Sequence, residues 1–237
     1  MEKALSLISF GPQGWGDQIA SGVVVTVSLA LATLPFGLAA GFMIALAKQS
    51  EERSLRLAAN IYTTIFRGLP ELLTLFLVFY GVQLGVQRLV QLFNPTATVE
   101  INAFVAGMVA LGVVFSSYAS EVFLSAFRAI PRGQYEGGYA VGLSNRQTMR
   151  LVVLPQLVRI ALPGLSNLWL ILLKDTALVS VIGLSDVIRQ AGIAARVTKE
   201  AFLFFGLACL IYLVLAILSS VGFGVIERWA GKAEPAR

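Results

Sequence analysis

Arg67 with Glu71, Glu121, and the adjacent Lys174 and Asp175 stand within or at the edges of strongly apolar runs. A charge at a bilayer centre costs about 2.5–3.5 kcal/mol on insertion scales, so each such residue implies a partner, a wet path or a helix end. Arg67 and Glu71 are four apart, a spacing that can pair them on one helix face. Gly68 and Pro70 intervene, so Arg67 is equally suited to anchor at an interface. Glu121 reads as structural. Neighbours on a helix point about 100° apart, so Lys174 and Asp175 cannot share one environment. Either the helix ends there and the pair lines a central path, or one side chain snorkels to the interface. A solute with a cationic side chain would find a partner in Asp175 or Glu71.

These residues suit recognition of charge and not bond-making. The chain has no histidine and one cysteine, Cys209, so neither a His- nor a Cys-based metal site is implied. It lacks a Gly-x-x-x-x-Gly-Lys-[Ser/Thr] phosphate loop, a His-Glu-x-x-His pair and a Gly-x-Ser-x-Gly elbow. The carboxylates are scattered and suggest no acid–base pair. No cofactor and no enzymatic activity are implied.

A second set of polar residues forms an island from about Arg128 to Gln156. Tyr135, Tyr139 and Leu143 are four apart with Ala140 on the same side, which predicts a short helix with one apolar face. Gly142 can end that helix, because glycine tolerates the left-handed conformation of a C-terminal cap. Ser144 to Gln147 reads as a capping box that opens another helix. Pro155 and Pro163 permit bending beyond it. The expected form is helix, glycine turn, helix, exposed to water; the plainer alternative is a basic hairpin that merely links two spans.

The elements that must hold these residues are membrane spans. Of 237 residues 57% are hydrophobic and 13% charged, about half the charge of a soluble domain. The mean hydropathy is +0.80. Runs of about 20 apolar residues, enough to cross roughly 30 Å of hydrocarbon, recur at about 22–47, 70–89, 101–127, 157–183 and 201–226. This predicts an all-α integral membrane protein with five transmembrane helices. Residues 1–21 form an external N-terminal segment, 128–156 a cytoplasmic loop and 227–237 a cytoplasmic tail. The N-terminal segment lacks the features of a cleaved signal peptide, so the first span is expected to be retained. Glu51 to Phe66 is amphipathic and suits the cytoplasmic surface.

The net charge of +5 is explained by topology and does not call for nucleic acid. Lys48, Arg53, Arg56, Arg128, Arg132, Arg146, Arg150, Arg159, Arg228, Lys232 and Arg237 lie on one alternate set of connections, against Lys3, Arg88, Arg189, Arg196 and Lys199 on the other. This bias places the richer set in the cytoplasm, with the N-terminus outside and the C-terminus inside. No internal repeat is visible, and five spans rarely enclose a solute path without a partner subunit.

The island resembles the EAA loop of the permeases of ATP-binding-cassette importers that depend on binding proteins. Glu136, Gly137, Gly138, Gly142, Val152, Leu154 and Pro155 carry the likeness, with glycines for the usual alanines and valine for isoleucine. Arg67-Gly-Leu-Pro70, Ser120-Glu121-Val122-Phe123, Ala129-Ile-Pro131-Arg-Gly-Gln134 and Leu172-Leu-Lys174-Asp175-Thr176 are similar to elements of the polar amino acid branch. Residues 61–71 and Phe79-Tyr-Gly-Val-Gln83 most resemble permeases for histidine, lysine/arginine/ornithine, octopine and nopaline.

This resemblance implies a type I importer transmembrane domain in a bacterial inner membrane. It would work with two cytoplasmic ATPase subunits, a homologous second permease or a second copy of this chain, and a periplasmic solute-binding protein. The solute would be a polar, basic amino acid or an opine. The Glu136 helix would dock on the ATPase. An ion-driven secondary carrier or channel subunit is the competing expectation.

Overall fold

The structure, a computed structural model, describes residues 6–231. Lys3, Lys232 and Arg237, which entered the charge bias, lie outside the described residues. The helices are α1 (Gly16–Lys48), α2 (Arg53–Gly68), α3 (Glu71–Phe93), α4 (Ala103–Ala129), α5 (Arg132–Ala140), α6 (Asn145–Thr148), α7 (Leu154–Asp175), α8 (Val187–Thr198) and α9 (Ala201–Gly231). A π-helical turn, Met149–Val153, joins α6 to α7, and a 3-10 segment, Thr176–Ile182, follows α7. No strand occurs among the described residues. Five stretches are long and apolar enough to cross a membrane: Gly16–Lys48, Glu71–Phe93, Ala103–Ala129, Asn145–Ile182 and Ala201–Gly231.

The centre of the bundle is α4 packed along α1. Close approach is possible because Gly41 of α1 lies where an added Cβ would sit 2.8 Å from the Ala119 Cβ and 3.0 Å from the Ser116 carbonyl oxygen. Small residues at such crossings let van der Waals contact hold helices in lipid, where the hydrophobic effect does not. Leu29, Phe115, Leu157, Leu172 and Val179 complete the main core. By contrast α3 and α9 turn apolar side chains outward, among them Leu77, Leu92, Phe202 and Leu218. Such faces need a non-aqueous solvent.

Two features of the connections were not expected. Residues 184–200, which lie between the last two apolar runs, contain α8. Asp186 caps it by accepting a hydrogen bond from the Arg189 backbone N–H at 2.9 Å. Its apolar side, Val187, Ala191 and Ala194, packs with Ile19 and Phe204 in a second, smaller core. The segment after α3 is also held. Gln83 and Gln87, one turn apart, bond as a ladder to the backbone of that segment: Gln87 Nε2 donates to the Ala97 carbonyl at 2.7 Å, and the Val99 and Ile101 N–H groups donate to Gln87 Oε1 at 2.8 Å and Gln83 Oε1 at 2.9 Å. A fourth bond runs from Gln83 Nε2 to the Val99 carbonyl.

Candidate functional site

The island folds as helix, turn and helix. Pro131, extended at φ −60° and ψ 142°, opens α5. At its far end the Leu143 N–H donates to the Gly138 carbonyl at 3.0 Å and the Gly142 N–H to the Tyr139 carbonyl at 2.9 Å. This is the Schellman pattern, and Gly142 takes the left-handed φ of +83° that it requires. The capping box follows as expected: the Gln147 N–H donates to Ser144 Oγ at 3.4 Å, and the Ser144 N–H to Gln147 Oε1 at 2.9 Å. The second limb does not end as a separate island helix. It runs through the π-helical turn into α7, where Pro155 lacks the N–H that a regular turn would use. A bond of 3.0 Å from Gln156 Nε2 to Gln134 Oε1 ties the stem to α5.

The expected coupling residues separate into two kinds. Glu136, Gly137, Tyr139 and Ala140 are exposed, and so is Val141. Of the expected apolar face only Tyr135 packs inward, while Leu143 is half-buried. The core is reached only from the first turn of this short helix, and the rest of its face stays exposed. Gly138 is buried against Thr148 and brings the limbs together. Leu154 packs on the core, and Pro155 is exposed at the π-helical turn. Arg146 and Arg150 are exposed on the second limb. The outer surface thus offers an apolar patch beside one carboxylate, on a stem continuous with a membrane span.

The membrane charges also rearrange. Arg67 does not pair with Glu71. Its guanidinium reaches Glu121 on α4 at 3.1 Å and lies over the Tyr118 ring at 5.6 Å. Lys48, at the end of α1, donates to the same carboxylate oxygen. The reason is the break between α2 and α3. Leu69 and Pro70 are extended, so Arg67 and Glu71 no longer share a helix face. The sequence signal that was available is Glu121 itself, an acid in an apolar helix that required a cation.

Lys174 and Asp175 diverge, as adjacent helical residues must. Lys174 is exposed, whereas Asp175 is half-buried and lines a narrow cavity with Phe115, Tyr118, Leu168 and Leu172. Glu71, the first residue of α3, is close enough for its charge to act on Asp175. Glu71 itself is not among the residues that line that cavity. No group of three or more metal-ligating side chains occurs among the described residues.

Residues 34–231 match the model of the family described as binding-protein-dependent transport system inner membrane component. The chain is 41% identical to the nopaline transport system permease protein NocQ of Agrobacterium fabrum, over 96% of this chain and 97% of that one. It is 37% identical to the histidine/lysine/arginine/ornithine transport system permease protein HisQ of Salmonella typhimurium, over 91% and 94%. Among solved structures it superposes on a chain of an amino acid ABC transporter crystallised with histidines, with a TM-score of 0.77 and 32% identity over 90% and 94% of the two chains. A chain of the MetNI methionine ABC transporter, at 17% identity and a TM-score of 0.70, shares the fold.

Proposed function

This chain belongs to the family of binding-protein-dependent transport system inner membrane components, and we propose that it moves polar, chiefly basic, amino acids or opine-type derivatives inward. It is a multi-pass permease subunit with the fold of an ABC importer transmembrane domain, and a separate subunit hydrolyses ATP. Membership in this family sets aside the ion-driven carrier.

The observation that carries the mechanism is the capped hairpin, which exposes Glu136, Tyr139 and Val141 on a stem continuous with α7. In our reading it docks on one of two ATPase subunits, with the hairpin end of the bundle in the cytoplasm and the N-terminus outside. The excess of Lys and Arg on that side supports this orientation. ATP-driven closure of the ATPase pair pulls on the hairpin and biases the spans between inward- and outward-facing states. A second permease, homologous or identical, completes the path, and an external receptor delivers the solute.

For the solute class, support comes from the names of the relatives and from the negative charge of Glu71 that acts on Asp175. Asp175 and Glu71 would meet the cationic group of the solute, while exposed Lys174 stands aside. In proteoliposomes, Asp175→Asn should abolish uptake of arginine while leaving assembly and ATPase activity in place. Full uptake by that variant would remove Asp175 from the path.

A further inference from the structure

Glu121 sits where three helices meet, and the position of that meeting is informative. Lys48 is the last residue of α1, with a side chain only 5% exposed, and pairs with the Glu121 carboxylate from one side. Arg67 pairs with it from the other, in the last turn of α2. A second attachment lies farther back along α2, where the Tyr62 hydroxyl donates to the Val113 carbonyl at 3.1 Å and meets Ser116 Oγ at 2.8 Å. Thus α2 is fastened to α4 at two points, and the Arg67 point is immediately before the break at Gly68, Leu69 and Pro70. Around Gly68 there is open space. On the far side of the break the next residue is Glu71.

Toward the hairpin the connection is stiff. Glu121 lies eight residues before the end of α4, about 12 Å along the helix axis. Only Ile130 and Pro131 separate α4 from α5, and both Phe127 and Ile130 are buried in the main core.

We propose that Glu121 is a positioning residue that fastens the ends of α1 and α2 to α4 as one block, so that movement of the hairpin is delivered to the Gly68–Pro70 break and thence to Glu71. Lys48, itself nearly fully buried, keeps the carboxylate paired, and Arg67 carries the motion. The proposal rests on the reading of the hairpin as the ATPase contact.

Two measurements on the reconstituted complex with its ATPase subunits test it. The first is solute moved per ATP hydrolysed for Arg67→Gln, Glu121→Gln, the double variant and Arg67→Lys. We expect each Gln substitution to lower that ratio by about tenfold, the double variant to be no worse than either single one, and Arg67→Lys to recover most of it. Unchanged ratios, or effects that multiply, overturn the proposal.

The second leaves the Glu121 pairs intact and so holds even if the Gln variants fail to assemble. In a Cys209→Ser background, spin labels at Ile65 and Ala129 report α2 against α4, and labels at Ile65 and Leu73 report across the break. Between the nucleotide-free and ATP-trapped states, the first distance should stay constant and the second should change. A changed first distance, or an unchanged second one, overturns it. Failure of the ATPase to accompany even the native chain would instead sink the hairpin reading.

Discussion

Gly138 touches Thr148 so closely that a Cβ added to the glycine would lie 2.6 Å from the threonine Cγ2 and 2.8 Å from its Oγ1. Thr148 is fully buried and has little room to give way. The two limbs of the hairpin are therefore set by one missing methyl group. Gly137, next in the chain, has nothing within 4 Å of its Cβ position. Alanine at 137 should stabilise α5 by up to about 1 kcal/mol through helix propensity alone. Alanine at 138 should instead push the limbs apart and weaken ATPase association. Limited proteolysis of the hairpin distinguishes them: slower cleavage for Gly137→Ala, faster for Gly138→Ala. Equal rates would remove the contact from the account.

The turn between the limbs makes a second prediction. Gly142 holds φ at +83°, where a side chain costs about 1–2 kcal/mol. Ser144 caps the next limb, and its replacement by alanine costs about 1 kcal/mol. Gly142→Ala and Ser144→Ala should each raise proteolysis of the hairpin, and together they should open it more than either alone. The spans should melt at an unchanged temperature. A fall in melting temperature equal to that of a core substitution would place the turn within the bundle's stability instead.

Asp186 makes the third, in pH. Burial pushes its carboxyl up to about 6, against the opposing pull of the backbone N–H groups at the start of α8 and the nearby Arg189 charge. A carboxyl raised in the folded state favours its neutral form. Its contribution to stability is therefore full below the ordinary value near 4 and lost as pH rises through about 6. The difference is on the order of 3 kcal/mol across that window. Asn keeps the cap oxygen and removes the charge. Asp186→Asn should melt higher than the native chain at pH 8 and nearly alike at pH 4. Parallel melting curves of the two proteins across that range would refute the assignment.

Gln83 and Gln87 make the fourth. Each side-chain hydrogen bond contributes roughly 0.5–1.5 kcal/mol net, and the ladder is what holds residues 97–101 against α3. Gln83→Leu with Gln87→Leu should free that segment, so that cleavage after Glu100 speeds up by about tenfold or more. Cleavage at the native rate would mean that other contacts retain it.

What the sequence disclosed and what it hid follow from range. Gly142, Ser144 and Gln147 act on neighbours within five residues, so their spacing alone foretold the left-handed helix end and the capping box. Apolar run length likewise announced five spans. The partners of Glu121 come from positions 48 and 67, and nothing local distinguishes them from other cations. The approach of Gly138 to Thr148 was equally hidden, since a glycine that ends a helix and one that admits a neighbour look alike in sequence. The α8 helix is faint in the sequence because its apolar side is made of Val187, Ala191 and Ala194, residues too small to announce a buried face. Asp186, a capping residue at its start, was the signal available.

The central claim is that the hairpin is the contact with the ATPase. It is tested most directly by purifying the native chain and a Glu136→Lys, Tyr139→Asp variant side by side from their membrane in mild detergent. Both altered residues are exposed, so the variant should insert and fold as the native chain does. The account predicts that an ATPase subunit accompanies the native chain and is lost from the variant. Equal recovery with both, or with neither under conditions that preserve related importers, would contradict it.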